Sequence, residues 1–420
     1  MSIVLINNSA ETFTPTVSGA IATFLWECCR AAQTADSGVG RGSRAGLPWV
    51  ITQSCAARPY DYPQTIFLDY PRVSDGKIAA LVWRAQRKLN GWRHLRQEAY
   101  AQRVATAIHE RGLEDRPLVL HNDPEMAIFL RQRFPDSIIV HHFHNHLECK
   151  PKFRSLLART PLILTAVSRF TAAWVDHYYE LTPGSVRVIY NGVDSERFSP
   201  ALQEPVGPCI LNFVGRTGRE KGPDLLLKAA LHLARTTQEF AVQVVGANHW
   251  GRLEMDDYQR ELQALVQELQ TRGIRVNSLG HVVRAQMPEA IQAAHIQVVP
   301  ARWDEPFGLT TVEGMACGLA TIASRTGGTP EIIGDSGLLF ERDSADDLAA
   351  QLAPLLLDCG LRRRYALLAR QRSLEFSWQR TWANLCAAAD PSRDRKGAVD
   401  LASTDRFVTG AALNSLSNRH

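Results

Sequence analysis

The segment CILNFVGRTGREKGPDLLLKAALHLA, residues 209–234, contains the pattern that decides the fold. Its first six residues form an apolar run that predicts a buried strand, and its last ten repeat apolar residues at helical spacing. Between them lies a glycine-containing turn that carries Arg216 and Lys221. The segment therefore predicts a strand, a turn with two cations, and a helix.

The same alternation of short apolar runs with helical patterns extends along most of the chain, and it predicts parallel sheets covered by helices, an α/β fold. We expect a domain at 1–195, a Pro-rich linker at 195–208 and a second domain at 209–375. Residues 391–420 are polar and aperiodic, which predicts a disordered tail. The expected strands are SIVLIN (2–7), PLVLHN (117–122), SIIVHHF (137–143), LILTAVS (162–168), VRVIYN (186–191), CILNFVG (209–215), FAVQVVG (240–246), IQVVPA (296–301), LATIAS (319–324) and GLLF (337–340).

Length and composition favour a folded protein of two or three domains. The chain has 420 residues, of which 45% are hydrophobic and 21% charged, with a net charge of +4. We see no basic leader, no apolar run long enough to span a membrane, and no reason to expect a nucleic acid partner. The eight cysteines include no C-x-x-C pair, so we expect reduced thiols in a cytoplasmic protein.

Residues 72–103 hold eight Arg or Lys and two acidic residues, interleaved with Trp83 and Trp92. One interpretation is a basic amphipathic helix that contacts anionic lipid on the inner face of the cell membrane, or an acidic acceptor. The other is a solvated surface helix whose aromatic residues pack inward.

Ligands of open parallel sheets bind beyond the carboxyl ends of strands, where helices begin. Arg216 and Lys221 stand in such a turn and suit a diphosphate. In VVPARWDEPFGLTTVEGMACG (298–318), Glu305 and Glu313 lie in a loop and the following helix, with Gly308 allowing close approach of backbone amides. Glu313 has a second interpretation, since Thr310-x-x-Glu313 also matches a capping box.

Two further turns are weaker candidates. Thr329 is a plausible helix N-cap after two glycines, followed by Pro330 and Glu331. Gly19 precedes a helix and would bring backbone amides to a phosphate.

Histidines cluster in IIVHHFHNH (138–146), where His142, His144 and His146 would share one face if the strand continued. A contact between one histidine and a sugar hydroxyl is favoured over a metal site, because nothing downstream completes a ligand set. The chain also contains no D-x-D motif that would carry Mg²⁺.

Taken together, these segments resemble the retaining glycosyltransferases of family 4, of the polysaccharide or lipopolysaccharide type. The resemblance runs through TAVSRF, VIYNGVDSERF, FVGRTGREKG, VVPARWDEPFGLTTVEGMACG, GGTPEIIGDSGLLF and FSWQRTW, and Glu305 and Glu313 match the family's E-x7-E motif. It implies the GT-B fold, in which two Rossmann-like domains face a cleft, with residues 376–390 crossing back to the first domain.

The resemblance also implies roles for individual residues. Arg216 and Lys221 match the pair that holds the donor diphosphate, and Glu313 matches the carboxylate that binds the ribose. The transferred sugar would contact Glu305, His144 and the amides around Phe307, Gly308 and Leu309, while Gly19 matches a phosphate-loop glycine. Two departures are the Ser18-Gly19 pair, where many members have Gly-Gly, and the turn VVGANHWG (244–251).

The implied reaction moves a hexose-type sugar from a UDP- or GDP-linked donor to a glycan or lipid-linked acceptor, with retention and without a metal or other cofactor. An epimerase acting on the free sugar nucleotide and a non-catalytic sugar-nucleotide-binding protein are the alternatives. A glycan phosphorylase would need a far longer chain and a lysine-bound pyridoxal site.

Overall fold

The computed structural model describes residues 2–9, 11–15, 19–36, 46–55, 57–69, 93–149, 151–247 and 256–390. The tail at 391–420, most of the basic stretch at 72–103 and the turn residues 248–251 lie outside these ranges or, for 93–98, are described in backbone only. In the part of the chain that is described, no helix is long and apolar enough to cross a membrane.

The first half of the chain forms a parallel seven-stranded sheet in the order β3-β2-β1-β4-β5-β6-β7. Its strands are β1 (Val4–Ile6), β2 (Trp49–Gln53), β3 (Thr65–Leu68), β4 (Leu118–His121), β5 (Ile139–Phe143), β6 (Ile163–Ala166) and β7 (Arg187–Val188). The helices between them are α1 (Ala20–Asp36), α2 (Arg93–Glu110), α3 (Pro124–Arg133), α4 (Pro151–Arg159) and α5 (Arg169–Tyr178).

The second half forms a parallel six-stranded sheet in the order β10-β9-β8-β11-β12-β13. Its strands are β8 (Cys209–Val214), β9 (Phe240–Val245), β10 (Arg275–Gly280), β11 (Ile296–Val299), β12 (Ala320–Ser324) and β13 (Leu338–Phe340). Its helices are α6 (Pro223–Leu233), α7 (Asp257–Thr271), α8 (Met287–Gln292), α9 (Leu309–Ala316), α10 (Thr329–Ile333), α11 (Ala345–Leu357) and α12 (Cys359–Ser373), and α13 (Trp378–Ala388) follows.

Both sheets are buried on both faces, which explains why their strands are apolar runs instead of alternating patterns. β1, β4, β8 and β11 are buried along their whole length, apart from Ile210 in β8. In each sheet the strand order reverses beside the first strand, between β1 and β4 and between β8 and β11. These two switch points are where ligands of such folds bind.

The last helix packs into the core of the first sheet. Trp378, Trp382 and Leu385 of α13 lie in the same cluster as Ile3 and residues of α1. The chain therefore crosses between the sheets twice, and the crossings touch, because Val193 pairs with Ser377 in an isolated parallel bridge. Gly192 has no side chain at this point, where a Cβ would lie 2.3 Å from the Trp378 backbone nitrogen.

The expected fold class, two parallel α/β sheets, is confirmed. Each of the ten expected strands is present, although β7 keeps only two residues of the run at 186–191. Three strands of the described chain were not expected: β2, β3 and β10. β10 lies at the edge of its sheet and is polar and largely exposed, so it lacks the apolar run on which the prediction depended.

Candidate active site

Three segments meet at the carboxyl end of the second sheet: the turn after β8, the loop after β11 and the loop after β12. Gly222 ends the first, a 3₁₀ turn at Arg219–Lys221, with a left-handed φ of +69°. A Cβ on Gly222 would lie 2.0 Å from the Pro300 carbonyl oxygen, so only glycine lets the turn pack this closely on the β11 loop. The Gly328 amide donates to the Glu305 carbonyl at 2.8 Å and fixes the third segment.

Lys221 and Glu305 form an ion pair at this junction. The Lys221 Nζ donates to Glu305 Oε2 at 2.7 Å, and the two side chains are 23% and 13% exposed. The indole Nε1 of Trp303 donates to the same oxygen at 3.0 Å, and Lys221 Nζ lies 4.5 Å from the centroid of the Trp303 ring. The predicted diphosphate-binding lysine and sugar-contacting glutamate are thus neighbours.

Arg216, the second predicted phosphate ligand, is 48% exposed and lies in the turn after β8. Its guanidinium is 3.1 Å from a carboxylate oxygen of Glu220, four residues along the chain. Both predicted phosphate-binding cations therefore face a carboxylate in this structure.

A buried ionic cluster holds the turn and the loop together, and nothing in the sequence pattern pointed to it. Asp224, fully buried at the start of α6, accepts from Arg302 Nη1 at 2.6 Å and Nη2 at 2.7 Å. Burial alone would raise the pKa of Asp224, but hydrogen bonds from Arg302, Tyr258 and Lys228 outweigh it and hold the pKa well below the usual range. The Arg302 amide also donates to the Glu220 carbonyl at 2.8 Å.

Glu313 contacts Arg284 and does not cap a helix. α9 begins at Leu309 with Gly308 as its N-cap, at a φ of +86°, so Thr310 already lies inside the helix. The capping-box interpretation is therefore wrong. The Glu313 carboxylate is 2% exposed, and one oxygen lies 2.5 Å from Arg284 Nη1. Arg284, which follows β10, is a site residue that the sequence interpretation missed.

Around the start of α9, the side chains pack into hydrophobic cores and the backbone amides are the groups that could contact a ligand. Phe307 is buried in a core cluster with Val312 and Phe376. Leu309 packs against that cluster and also against the core of the first sheet. Of the first amides of α9, those of Thr311 and Val312 donate to the Gly308 carbonyl at 3.0 and 3.3 Å, which leaves those of Leu309 and Thr310 without a partner in the helix. This is the geometry by which backbone amides contact an anionic ligand.

Gly19 lies immediately before α1, as expected, but a carboxylate already occupies the helix N-terminus. The Ala22 amide donates to Glu11 Oε2 at 3.2 Å, and a Cβ on Gly19 would lie 2.6 Å from the Glu11 carboxylate. Burial raises the pKa of Glu11, although hydrogen bonds from Ala22 and Ile21 oppose the rise. The phosphate position predicted from Gly19 is therefore held by an anion of the chain itself.

His142 and His144 share one face, with ring centroids 4.6 Å apart and both rings against Phe24, but His146 does not. β5 ends at Phe143, and His146 leaves the others to stack on Trp174 at 4.8 Å. His144 is instead buried against His121, whose Nδ1 lies 3.0 Å from His144 Nε2. Among the described residues no group of three or more His, Cys, Asp or Glu is arranged to hold a metal ion.

Burial keeps this cluster uncharged. It lowers the pKa of His142 to about 3. Burial, together with the repulsion that a protonated His142 would exert, lowers the pKa of His141 to about 3. The pKa values of His121 and His144 are also far below the usual range, again mainly through burial. All four histidines are therefore neutral at physiological pH.

Glu331 joins the two halves of the chain. Its carboxylate accepts from the backbone amides of Arg169 and Phe170, both at 3.1 Å, and from the Tyr190 hydroxyl at 3.0 Å. Arg169 and Phe170 are the first residues of α5, so a side chain from the second sheet caps a helix of the first. The N-cap predicted at Thr329 moves by one residue, since Gly328 precedes α10.

Comparison with known proteins agrees with this architecture. Residues 194–372 match the family described as glycosyl transferases group 1, and residues 63–197 match glycosyltransferase family 4. The chain belongs to these GT-B glycosyltransferases. The expected family is thereby confirmed from two adjacent matches that together extend from 63 to 372.

One relative is the D-inositol 3-phosphate glycosyltransferase of Corynebacterium jeikeium, 34% identical over 219 residues, which are 48% of this chain and 50% of the relative. The chain spans about half the length of the first such relatives. Two solved structures share the fold: Anabaena HepE in complex with UDP, and sucrose-phosphate synthase from Thermosynechococcus elongatus. HepE has a TM-score of 0.65 at 17% identity, covering 92% of this chain and 99% of its own. The synthase has a TM-score of 0.70 at 20% identity, and the match covers 92% of this chain and 98% of the synthase chain.

Proposed function

We propose that the protein transfers a hexose-type sugar from a UDP- or GDP-linked donor to a glycan or lipid-linked saccharide acceptor in surface polysaccharide synthesis. Transfer proceeds with retention of anomeric configuration and without a metal ion. The observation that carries the proposal is the 2.7 Å contact between Lys221 and Glu305 at the switch point of the second sheet, with Arg216 in the same turn as Lys221.

In this proposal the cations stabilise the leaving diphosphate. Negative charge develops on the phosphate oxygens as the bond to the sugar breaks, and preorganised cations and helix N-termini lower the energy of that state. Lys221 and Arg216 supply the cations, and the start of α9 supplies amides. The acceptor hydroxyl attacks on the face from which the diphosphate departs, which retains the configuration.

Ligands of the structural neighbours support the donor class. HepE was solved in complex with UDP and in complex with UDP-glucose. The relative from Corynebacterium jeikeium is named a D-inositol 3-phosphate glycosyltransferase, so a phosphorylated inositol is a further acceptor to test.

A thermal-shift panel tests the donor site. UDP, GDP, ADP and CMP are each added with excess EDTA at about 100 times the dissociation constant, where a bound ligand adds about 2.7 kcal/mol of stability. We expect one diphosphate to raise Tm by several degrees, Lys221→Ala to abolish the shift, and Lys152→Ala, an exposed lysine of α4, to retain it. A folded wild-type protein that none of the four stabilises would overturn the proposal.

Product analysis separates the proposed transfer from its alternatives. Incubating the nucleotide sugar alone and with acceptors, including D-inositol 3-phosphate, distinguishes epimerisation of the free donor from transfer. The anomeric proton coupling of the product reports retention or inversion. Trapping a glycosyl group on a protein side chain would contradict same-face attack.

A further inference from the structure

Trp303 is the side chain that contacts both members of the Lys221–Glu305 pair, and no role for it follows from the family motif. It stands two residues before Glu305 in the loop between β11 and α9 and is partly exposed. Its indole Nε1 donates to Glu305 Oε2 at 3.0 Å, and its ring lies 4.5 Å from Lys221 Nζ. Each of the three side chains thus touches the other two.

The backbone on both sides of Trp303 is fixed. Arg302 before it forms the bidentate pair with buried Asp224, at 2.6 and 2.7 Å. Asp304 after it pairs with Arg342 at 3.0 Å, and the Glu305 carbonyl accepts from Gly328. A Cβ on Gly327 would lie 2.6 Å from the Glu305 nitrogen, so the loop after β12 also packs directly on this backbone. The indole is therefore presented from a rigid platform.

The two functions of the indole are chemically separable. The N–H is a directional donor that restricts the Glu305 carboxylate to one orientation, and a hydrogen bond to a charged group is stronger than one between neutral groups. The ring face attracts an ammonium without occupying its hydrogen-bond donors. Lys221 can therefore turn its N–H groups from Glu305 to a phosphate while it remains over the ring, and Glu305 keeps one fixed donor.

We propose that Trp303 is a positioning residue of the donor site, which orients Glu305 toward the transferred sugar through its N–H and Lys221 toward the diphosphate through its ring. The proposal rests on the proposed function, because it assigns the two partners to the two parts of a nucleotide-sugar donor. It predicts that removal of the N–H affects the sugar and that removal of the ring also affects the diphosphate.

The test compares Trp303→Phe, which keeps an aromatic face and loses the N–H, with Trp303→Leu, which loses both. Trp49→Phe in β2 of the other sheet is the matched control for loss of an indole. We expect Trp303→Phe to lower kcat/KM for the nucleotide sugar about tenfold while affinity for the free nucleoside diphosphate stays within about twofold. Trp303→Leu should also weaken diphosphate binding, by about three- to tenfold.

A wild-type kcat/KM in Trp303→Phe would overturn the proposal. The proposal would also be overturned if Trp303→Phe lowered kcat/KM and diphosphate affinity by the same factor and lowered Tm as well, because that result would mark a merely structural residue.

A measurement without turnover tests the contact itself. In protein labelled with ¹⁵N-tryptophan, the indole signal missing from Trp303→Phe belongs to Trp303, and we expect Glu305→Gln to shift that signal. An unmoved signal would refute the contact. A shifted signal in a protein that binds and transfers no nucleotide sugar would instead overturn the proposed function.

Discussion

In the proposed donor site, Glu220 competes with the diphosphate for Arg216. The carboxylate lies 3.1 Å from the guanidinium, so a diphosphate must displace it or share the cation. We expect Glu220→Gln to tighten binding of the nucleoside diphosphate about two- to fivefold, since an exposed ion pair is worth roughly 0.2 to 1 kcal/mol. Isothermal titration calorimetry measures the change, with Glu239→Gln, an exposed residue before β9, as control. Unchanged or weaker binding would contradict this competition.

Glu313 is the second residue whose role a conservative substitution tests. Its pairing with Arg284 leaves no capping function for glutamine to preserve. We expect Glu313→Gln to lower nucleotide affinity by about 1 to 3 kcal/mol, the order for a hydrogen bond to a charged group. Glu268→Gln removes a carboxylate from an exposed pair with Arg272 and should leave affinity unchanged. Calorimetric titration of both variants decides whether the ribose role stands, and equal affinities would refute it.

Among individual residues, those of the motifs were predictable from the sequence, and the residues that contact them were not. Arg216, Lys221 and Glu305 stand in turns or loops, and Glu313 in the helix that follows, at positions that the strand pattern indicates. The contact between Arg302 and Asp224 joins residues 78 positions apart, and no local pattern encodes it. Glu11 was likewise missed at the start of α1, because its partner amide is 11 residues away and belongs to no capping motif.

Among the elements, α5 depends on a cap that comes from the other half of the chain. Glu331 is partly buried and accepts from the first two amides of α5, while Ser168 accepts from the amide of Thr171. Burial raises the pKa of Glu331, although these hydrogen bonds and Tyr190 oppose the rise. The cap couples the loop after β12 to the helix that carries Phe170 and Trp174, the neighbours of His146.

We expect Glu331→Ala to reduce the free energy of unfolding by about 0.5 to 2 kcal/mol, because it removes the cap from the first two amides of α5. Hydrogen exchange at Arg169 and Phe170 should accelerate, and kcat should fall as the two halves lose a fixed contact. Asp256→Ala removes the cap of α7, which accepts from Gln259 at 2.8 Å within one half of the chain. That control should lose stability without changing exchange at α5. Unchanged exchange at Arg169 and Phe170 in Glu331→Ala would refute the cap.

Most strands with apolar runs were predictable, including the edge strands β7 and β13, whereas the inner strand β2 and the edge strands β3 and β10 were not. β8, β9, β11 and β12 occupy the middle of their sheet and consist mainly of buried apolar residues. β10 pairs with β9 on one side only, and of its six residues Val276 alone is buried. Its sequence, RVNSLG, carries neither period of a buried strand.

The stability of the whole molecule should decrease in mild acid. His121, His141, His142 and His144 have pKa values in the folded protein below the unfolded value of about 6.5. The unfolded chain therefore binds more protons as the pH falls from about 6.5 toward 3. Each histidine then costs up to about 1.4 kcal/mol of stability per pH unit.

We expect Tm to fall steeply between pH 7 and pH 5, and His142→Asn to flatten that dependence, whatever its effect on Tm at pH 8. His177→Asn, an exposed histidine of α5, is the control. Differential scanning calorimetry across this range measures both slopes. A slope in His142→Asn as steep as in the wild type would show that the buried cluster does not govern acid sensitivity.

The second crossing also sets the order in which the protein is built. One of the two cores that pack on the second sheet is made from a continuous stretch, Cys209 to Tyr365, and its residues are all present once that stretch has left the ribosome. The core that holds Ile3 and Phe24 also needs α13, whose Leu385 and Ala388 are among the last of its residues to be synthesised. Nearly 200 residues separate Ile189 from Leu385. At 5 to 20 residues per second, their synthesis takes roughly 10 to 40 seconds. The half of the chain that is synthesised first is therefore completed last. Throughout that interval the nascent chain carries an open apolar groove where α13 will pack. We expect chaperones that shield such surfaces to act on this half.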